Sequence, residues 1–217
     1  MHNFIDVEQN TEEWLKLRAG RLNGSKLGMV MANYGKSFGE PAKRYAADIA
    51  VEQITKNPTT SEYSNEHMDR GHAEEPIARE LYENETFCDV SNGGFFKYGD
   101  FVGCSPDGLI NDCGICEIKS VIPSTHYKNV ARGDIDPAYK WQCIGNLFFT
   151  GREWLDFISY CGLFPDQKKL FICRIEKEDL ANEFEMIKTR IDEFKKLVES
   201  IRYKIENSTY FVKKEAA

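Results

Sequence analysis

Residues 104–120 decide the fold and read Cys-Ser-Pro-Asp-Gly-Leu-Ile-Asn-Asp-Cys-Gly-Ile-Cys-Glu-Ile-Lys-Ser. Asp107 follows a proline, and ten residues later Glu117 and Lys119 flank one apolar residue. The alternation of apolar and charged residues predicts a strand with Glu117 and Lys119 on one face and Ile118 on the other. Turn residues before this strand predict a hairpin that folds Asp107 back towards Glu117. Two carboxylates and an ammonium group placed in this way can hold a divalent metal ion and a water beside it.

The composition is ordinary for a globular domain, with 41% hydrophobic and 29% charged residues in 217. We expect one domain over residues 1–206 and a frayed tail over 207–217. The sequence shows neither a membrane span nor a secretion signal, so we expect a cytoplasmic protein whose seven cysteines are free thiols. The formal net charge of -7 disfavours non-specific nucleic-acid binding over the whole surface, but it allows a local basic groove.

The order of the predicted elements indicates an α/β fold. Helices come first, then a hairpin that residues 104–120 extend into a three-strand meander, and then a helix, two strands and a final helix. This order fits one domain with a central mixed β-sheet and helices on both faces. The helices are predicted at 11–18, from Ser25, at 41–56, 66–84, 137–150 and about 179–205, and the later strands at 154–161 and 169–175.

The acids and the lysine suit phosphodiester hydrolysis, which needs an activated water and neutralisation of charge on the phosphate. One or two Mg²⁺ ions do both when oxygen ligands hold them, and Asp107, Glu117 and the backbone carbonyl of Ile118 are such ligands. Beside a dication, Lys119 would have a lowered pKa and could take a proton from the water or stabilise the transition state. Acid and lysine pairs are also common on solvated strands, so these residues alone leave a plain surface hairpin equally open.

Other polar positions also allow two interpretations. Ser25 suits an N-cap, but next to Arg18 it also suits an anion pocket at a helix start. Glu74 and Glu75 lie one turn before Arg79, a pattern typical of a solvated helix face. A glutamate that faces the sheet would instead be a candidate metal ligand.

The cysteine spacing at 113 and 116 matches half of a zinc knuckle or a redox pair. A structural zinc site needs about four ligands, and the sequence shows no second pair of cysteines and no paired histidines. We therefore interpret the cysteines as small apolar residues.

Four motifs in sequence order carry a family resemblance. Ser-Pro-Asp-Gly at 105–108, followed by Glu-Ile-Lys at 117–119, resembles the signature of PD-(D/E)xK nucleases. Over most of the chain, the wider pattern is similar to the phage lambda-type exonucleases of the viral recombinase nuclease family. The other motifs are Trp-Leu-Lys-Leu-Arg at 14–18 with Ser25, Gly-His-Ala-Glu-Glu at 71–75 and Tyr-Lys-Trp-Gln at 139–142.

The resemblance implies a PD-(D/E)xK nuclease core that degrades the 5′-ended strand of duplex DNA to mononucleotides. The 3′ single-stranded overhang would serve recombination by single-strand annealing. The resemblance also implies two Mg²⁺ ions per active site with Mn²⁺ as a substitute, a homotrimeric ring, and a single-strand annealing protein as partner. Carried over by position, Asp107, Glu117 and the Ile118 carbonyl hold metal, Lys119 serves the attacking water, Glu75 supports the metal site, Gln142 shapes it, and Arg18, Ser25 and Ser105 bind the 5′-phosphate.

The sequence departs from the family pattern at three places. Family members can place a further acid in the preceding hairpin. Asp100 is the only candidate for that acid here, and we do not count Asp100 among the metal ligands. The basic residue expected after the catalytic lysine has two candidates, His126 and Lys128. Where the family pattern has a second glutamine, this chain has Ile144, which weakens the assignment of a site role to Gln142. The alternatives are a structure- or sequence-directed DNA endonuclease of the same superfamily and a non-enzymatic module that binds DNA ends or a partner.

Overall fold

A computed structural model of the protein describes residues 2–59 and 66–209. It shows an α/β structure in which two mixed sheets are flanked by helices, so the predicted fold class is confirmed. Residues 210–217, which form most of the predicted tail, lie outside the described part of the chain.

The bounds of the elements follow the predicted order closely. The helices are α1 (Glu12–Arg18), α2 (Leu27–Met31), α3 (Glu40–Thr55), α4 (Glu66–Thr86), α5 (Pro123–Arg132), α6 (Lys140–Thr150) and α7 (Ala181–Glu206). The strands are β1 (His2–Ile5), β2 (Leu22–Asn23), β3 (Val90–Asn92), β4 (Phe95–Tyr98), β5 (Val102–Cys104), β6 (Gly108–Ile110), β7 (Gly114–Ser120), β8 (Trp154–Tyr160) and β9 (Leu170–Glu176). The structure adds β1, β2 and β3, which the sequence pattern did not predict.

The strands form two sheets with the orders β1-β4-β5-β2 and β3-β6-β7-β8-β9. The prediction of one three-strand meander is therefore wrong, because β5 and the β6–β7 hairpin lie in different sheets. The chain passes from one sheet to the other at residues 105–107. Pro106 has no N–H to donate to a ladder, and the N–H of Asp107 turns to the carbonyl of Cys116 at 3.1 Å.

Alternation along β7 divides its side chains between two cores. Ile115 packs into the larger core, which includes residues of α6 and α7. Cys116 and Ile118 pack into the smaller core with Tyr82 of α4. Because successive side chains of a strand point to opposite faces, Glu117 points to the α6 side, away from α4.

The sequence suggests two N-caps near the start of the chain, and the structure confirms one of them. The Oγ1 of Thr11 accepts a hydrogen bond from the N–H of Trp14 at 3.3 Å, as an N-cap of α1 should. Ser25, by contrast, lies inside a 3₁₀ turn (Gly24–Lys26) that precedes α2, so its interpretation as an N-cap is wrong. The turn leaves its hydroxyl free for a contact with Arg18.

Two further observations concern the cysteines and the length of the helices. All seven cysteines are free thiols, as predicted, and Cys104, Cys116, Cys143 and Cys161 are buried. Within the described ranges, no helix combines the length and the apolar character that a membrane crossing requires.

Arg190 of α7 holds the end of α2 and the segment after it against α7. Its guanidinium is buried and donates hydrogen bonds to the carbonyls of Val30 (2.9 Å), Ala32 (3.2 Å) and Lys36 (3.0 Å). It also stacks on the ring of Phe38 at 3.7 Å from the centroid. These carbonyls lie at and just beyond the end of α2, where a helix lacks partners of its own.

We predict that Arg190→Met lowers the free energy of unfolding by about 2–4 kcal/mol, because the buried carbonyl of Val30 and two further carbonyls lose their donor. Urea unfolding followed by circular dichroism measures this change. Lys195→Met, an exposed site on the same helix, serves as the control and should change stability by less than about 0.5 kcal/mol. Equal losses in both variants would contradict the anchoring role.

Candidate active site

The predicted site residues meet in one cavity of about 780 Å³ that α1, α4, β7 and α6 border. Glu117 is the exception, since it is buried behind this surface with no exposure to solvent. The residues that line the cavity and were predicted from sequence are Arg18, Ser25, Glu75, Ser105, Asp107, Ile118, Lys119 and Gln142.

The carboxylate of Glu117 receives hydrogen bonds on both oxygens. Its Oε1 lies 2.5 Å from the Nζ of Lys119 and accepts a short hydrogen bond from the Nε2 of Gln142. Its Oε2 accepts a hydrogen bond from the Nδ2 of Asn146 at 2.9 Å. A buried charge needs such partners, and here one comes from β7 and two from α6.

Asp107 is folded back onto β7, which confirms the predicted hairpin. Its Oδ2 accepts the N–H of Ile118 at 2.6 Å and lies 3.8 Å from the Nζ of Lys119. Its carbonyl accepts a hydrogen bond from Arg79 of α4 at 2.6 Å. The ammonium group of Lys119 therefore lies between the carboxylates of Asp107 and Glu117.

The electrostatics of these three groups are coupled. Burial raises the pKa of Glu117 and the charge of Asp107 acts in the same direction, whereas the ammonium of Lys119 opposes both. Burial alone would lower the pKa of Lys119, but the charges of Glu117 and Asp107 outweigh it and raise that pKa. The described site therefore holds Lys119 as an ammonium, whereas the lowered pKa expected from sequence presupposed a dication beside it.

The oxygen donors of this site fit a hard divalent cation. The two carboxylates of Asp107 and Glu117 face one positive charge, the ammonium of Lys119. A hard cation near them would compensate the remaining negative charge. Among the described residues, no group of three or more His, Cys, Asp or Glu side chains is arranged to hold a metal ion. Glu75 lines the cavity 3.5 Å from Arg79, and burial and the charge of Asp107 raise its pKa, so it lies within electrostatic reach of the other acids.

A second set of residues lines the same cavity and suits a phosphate. Arg18 stacks on the ring of Trp14 at 4.1 Å, and its NH2 donates to the Oγ of Ser25 at 3.3 Å. The indole N–H of Trp14 donates to the Oγ of Ser105 at 2.8 Å. A guanidinium and two hydroxyls thus face one space, an arrangement that binds phosphate oxygens well. The sequence did not predict that Trp14 organises this pocket.

Comparison with known proteins agrees with this geometry. The sequence profile of the YqaJ-like viral recombinase domain matches residues 13–153, which include all four motifs. The chain belongs to this family. The predicted resemblance to phage lambda-type exonucleases is thereby confirmed. No curated protein sequence matches the chain significantly.

Solved structures resemble the whole described fold. The crystal structure of the alkaline exonuclease LHK-Exo from Laribacter hongkongensis matches with a TM-score of 0.75 and 31% identity, covering 90% of this chain and 98% of that chain. The structure of its complex with dAMP matches with a TM-score of 0.76 and 32% identity, again covering 90% of this chain and 98% of that chain. A phage-related exonuclease from Haemophilus somnus 129PT, 13% identical, shares the fold with a TM-score of 0.68, covering 88% of this chain and 99% of that chain.

The structure also shows the surroundings of the residues at which the sequence departs from the family pattern. His126 is buried, and its ring nitrogens contact the Oγ of Ser159 (2.9 Å) and the carbonyl of Lys168 (3.0 Å). It is thus occupied in the interior, and Lys128, exposed on α5, stays the candidate phosphate contact. Asp100 lines a different cavity, which agrees with leaving it out of the metal set.

Asn146 is the site residue that the sequence analysis missed. It follows Gln142 by one helical turn, and this pair of amides on an otherwise apolar helix is a pattern that could have identified it. A Cβ at Gly24 would lie 2.4 Å from the Oδ1 of Asn146, so only glycine lets the amide occupy this place. The Oδ1 is buried and has no hydrogen-bond partner among the described residues. A buried polar atom kept without a partner suggests that Asn146 serves Glu117 rather than stability.

We predict that Asn146→Ala and Gln142→Ala each lower turnover of linear duplex DNA by about 10–100-fold, because residues that orient a metal ligand have effects of that size. The double variant should lose less than the product of the two single losses, since both amides act on one carboxylate. Steady-state kinetics with Mg²⁺ measure the effect.

Asn129→Ala is the matched control, since it removes a buried asparagine that contacts Ser159 instead of Glu117. It should lower stability while it leaves turnover within about twofold of the unchanged protein. Strictly multiplicative losses in the Gln142 and Asn146 variants would contradict a shared action on Glu117.

Proposed function

We propose that the protein is a Mg²⁺-dependent 5′-to-3′ double-stranded DNA exonuclease. It degrades the 5′-ended strand to mononucleotides and leaves a 3′ single-stranded overhang for recombination by single-strand annealing. One observation carries the proposal: Asp107, Glu75 and Lys119 line the same cavity as the proposed phosphate-binding set of Arg18, Ser25 and Ser105. A terminal phosphate held in that cavity brings the first phosphodiester bond to the acids, which favours removal of one nucleotide at a time.

The relatives support the same activity. The related protein LHK-Exo is an alkaline exonuclease and forms a complex with dAMP, a nucleoside monophosphate. At 31% identity over nearly its whole length, that relative is similar enough to extend the nuclease activity to this chain as a proposal. Strand polarity rests on the phosphate pocket and on the family resemblance.

The residues around the metal take separate roles. When bound, Mg²⁺, at two ions per site and with Mn²⁺ as a substitute, supplies an activated water and neutralises charge on the phosphate. Asp107, Glu117 and the carbonyl of Ile118 hold it, and Glu75 supports it from α4. Gln142 and Asn146 orient Glu117 through their hydrogen bonds, and Lys119, whose ammonium lies between the two carboxylates, would serve the attacking water.

The partners and the location complete the proposal. The substrate is the end of a DNA duplex, the protein forms a homotrimeric ring, and a single-strand annealing protein receives the overhang. The formal net charge of -7 is compatible with DNA binding in a ring, because only the channel has to be positive. The enzyme acts in the cytoplasm, which is that of the bacterial host if a phage or prophage encodes it.

Digestion of a linear duplex labelled at either end tests the activity. With Mg²⁺, a 5′ label should appear in mononucleotides at once, whereas a 3′ label should stay on long products. Lys119→Ala should slow the reaction by about 100- to 10,000-fold while the fold is retained, because the group beside the attacking water is gone. Cutting of a supercoiled circle, which has no ends, would contradict the proposal and favour the endonuclease alternative.

The phosphate pocket predicts a preference among ends. A duplex with 5′-phosphates should be digested about 10–100-fold faster than one with 5′-hydroxyls, the range expected of charge-assisted hydrogen bonds. Arg18→Lys and Ser25→Ala should reduce this ratio, because lysine cannot make two parallel hydrogen bonds and alanine makes none. The 5′-hydroxyl duplex is the internal control, and equal rates on both ends would remove the proposed roles of Arg18 and Ser25.

A further inference from the structure

Two smaller cavities continue from the active-site cavity around the end of α1. The first, of about 340 Å³, shares Leu15 and Arg18 with the active-site cavity. The second, of about 400 Å³, shares Ala19 and Glu52 with the first. The three cavities are therefore neighbours around the end of α1.

Basic residues outnumber acidic residues in these two cavities, whereas acidic residues outnumber basic ones in the whole chain. The two cavities are lined by seven lysine and arginine side chains and three acidic ones, whereas the whole chain has 28 basic and 35 acidic residues. Apart from Arg18, which belongs to the proposed phosphate pocket, we call the basic side chains the basic track: Lys16, Arg21, Lys26, Arg44, Lys56 and Arg202.

The acid that both cavities share is already engaged with the backbone. Glu52 is buried, and its carboxylate oxygens accept the N–H groups of Gly20 at 2.7 Å and Thr59 at 2.8 Å. These hydrogen bonds stabilise the carboxylate from the inside of the protein. Glu52 therefore forms no ion pair with a described member of the basic track.

Several members of the track lack an acidic partner. Within residues 2–59 and 66–209, Arg21, Lys26, Arg44 and Lys56 make no ion pair. The Nε of Arg21 is buried and has no hydrogen-bond partner among the described residues. Burial lowers the pKa of the Arg21 guanidinium, and the charge of Asp100 opposes the shift. Lys16 and Arg202 pair with Glu12 and Glu206, so the positive charge without an ion-pair partner is that of the other four members of the track.

We propose that the basic track binds the sugar–phosphate backbone of the DNA substrate outside the active-site cavity. This inference rests on the proposed function, because it extends the nucleic-acid surface of the same site. Lysine and arginine contacts to phosphates carry no base information, which suits an enzyme that digests any sequence. On a protein of negative net charge, a local positive surface orients the duplex and retains it between successive cuts.

The test is the salt dependence of binding by the double variant Lys56→Gln/Arg202→Gln. A fluorescent 5′-phosphorylated duplex is titrated in EDTA at several salt concentrations, and anisotropy gives the dissociation constant. Loss of two phosphate contacts should weaken binding by roughly tenfold near 0.1 M salt and reduce the log–log salt slope by about 2. The variant Lys26→Gln/Arg44→Gln repeats the test in the first cavity.

Lys195→Gln/Lys196→Gln is the matched control. These lysines are exposed on α7, line neither cavity, and their replacement changes the net charge by the same amount. Thermal unfolding checks that every variant is folded. If the track variants bind the duplex as the control does, the track makes no phosphate contacts and the inference is overturned.

Kinetics separate this inference from the proposed function. The track variants should show a raised KM for the duplex with unchanged kcat, and unchanged hydrolysis of a small p-nitrophenyl phosphodiester of thymidine 5′-monophosphate. Failure of the unchanged protein to digest DNA would refute the function, whereas the anisotropy result would still report on the track. If polyglutamate binds the unchanged protein but not the track variants, and duplex binding is the same in both, the surface recognises an acidic protein and the inference is wrong.

Discussion

Burial of one carboxylate sets the requirements for the centre of this protein. Removing the charge of Glu117 from water costs several kcal/mol unless hydrogen bonds and an opposite charge compensate it. The compensation comes from Lys119 on the same strand and from Gln142 and Asn146 on α6. The position of α6 on the sheet is therefore tied to the charge of the site. Well-packed apolar residues often stabilise a core as much as such an ion pair does, so its presence here is best explained by chemistry.

The division into two sheets gives the site its second acid. Asp107 lies at the point where the chain leaves β5 and enters the β6–β7 hairpin, so its side chain is free to turn towards β7. The proline before it prevents continued pairing, and Arg79 holds its carbonyl from α4. Two elements thus hold Asp107: β7 contacts its carboxylate, and α4 contacts its backbone carbonyl. Rigid placement of this kind is what positions a reacting group accurately.

Local patterns in the sequence predicted the parts of the site that depend on neighbours along the chain. Alternation placed Glu117 and Lys119 on one face and turn residues brought Asp107 back, whereas Glu75 and Gln142 entered only through the family resemblance. The unpredicted features depend on contacts between distant segments: the separation of the two sheets, the indole bridge of Trp14, and the amide of Asn146 against Gly24. Periodicity carries no information about which distant strand or side chain a residue will meet.

The distribution of the cysteines makes the site resistant to thiol reagents. Burial raises the pKa values of Cys104, Cys116 and Cys143, which lie around the acidic centre, so these thiols stay protonated. The thiolate is the reactive form, and it is therefore scarce where modification would do harm. Cys88 and Cys113 are partly exposed and away from the active-site cavity. Cys173 is partly exposed as well, so selective labelling at Cys88 and Cys113 requires its replacement.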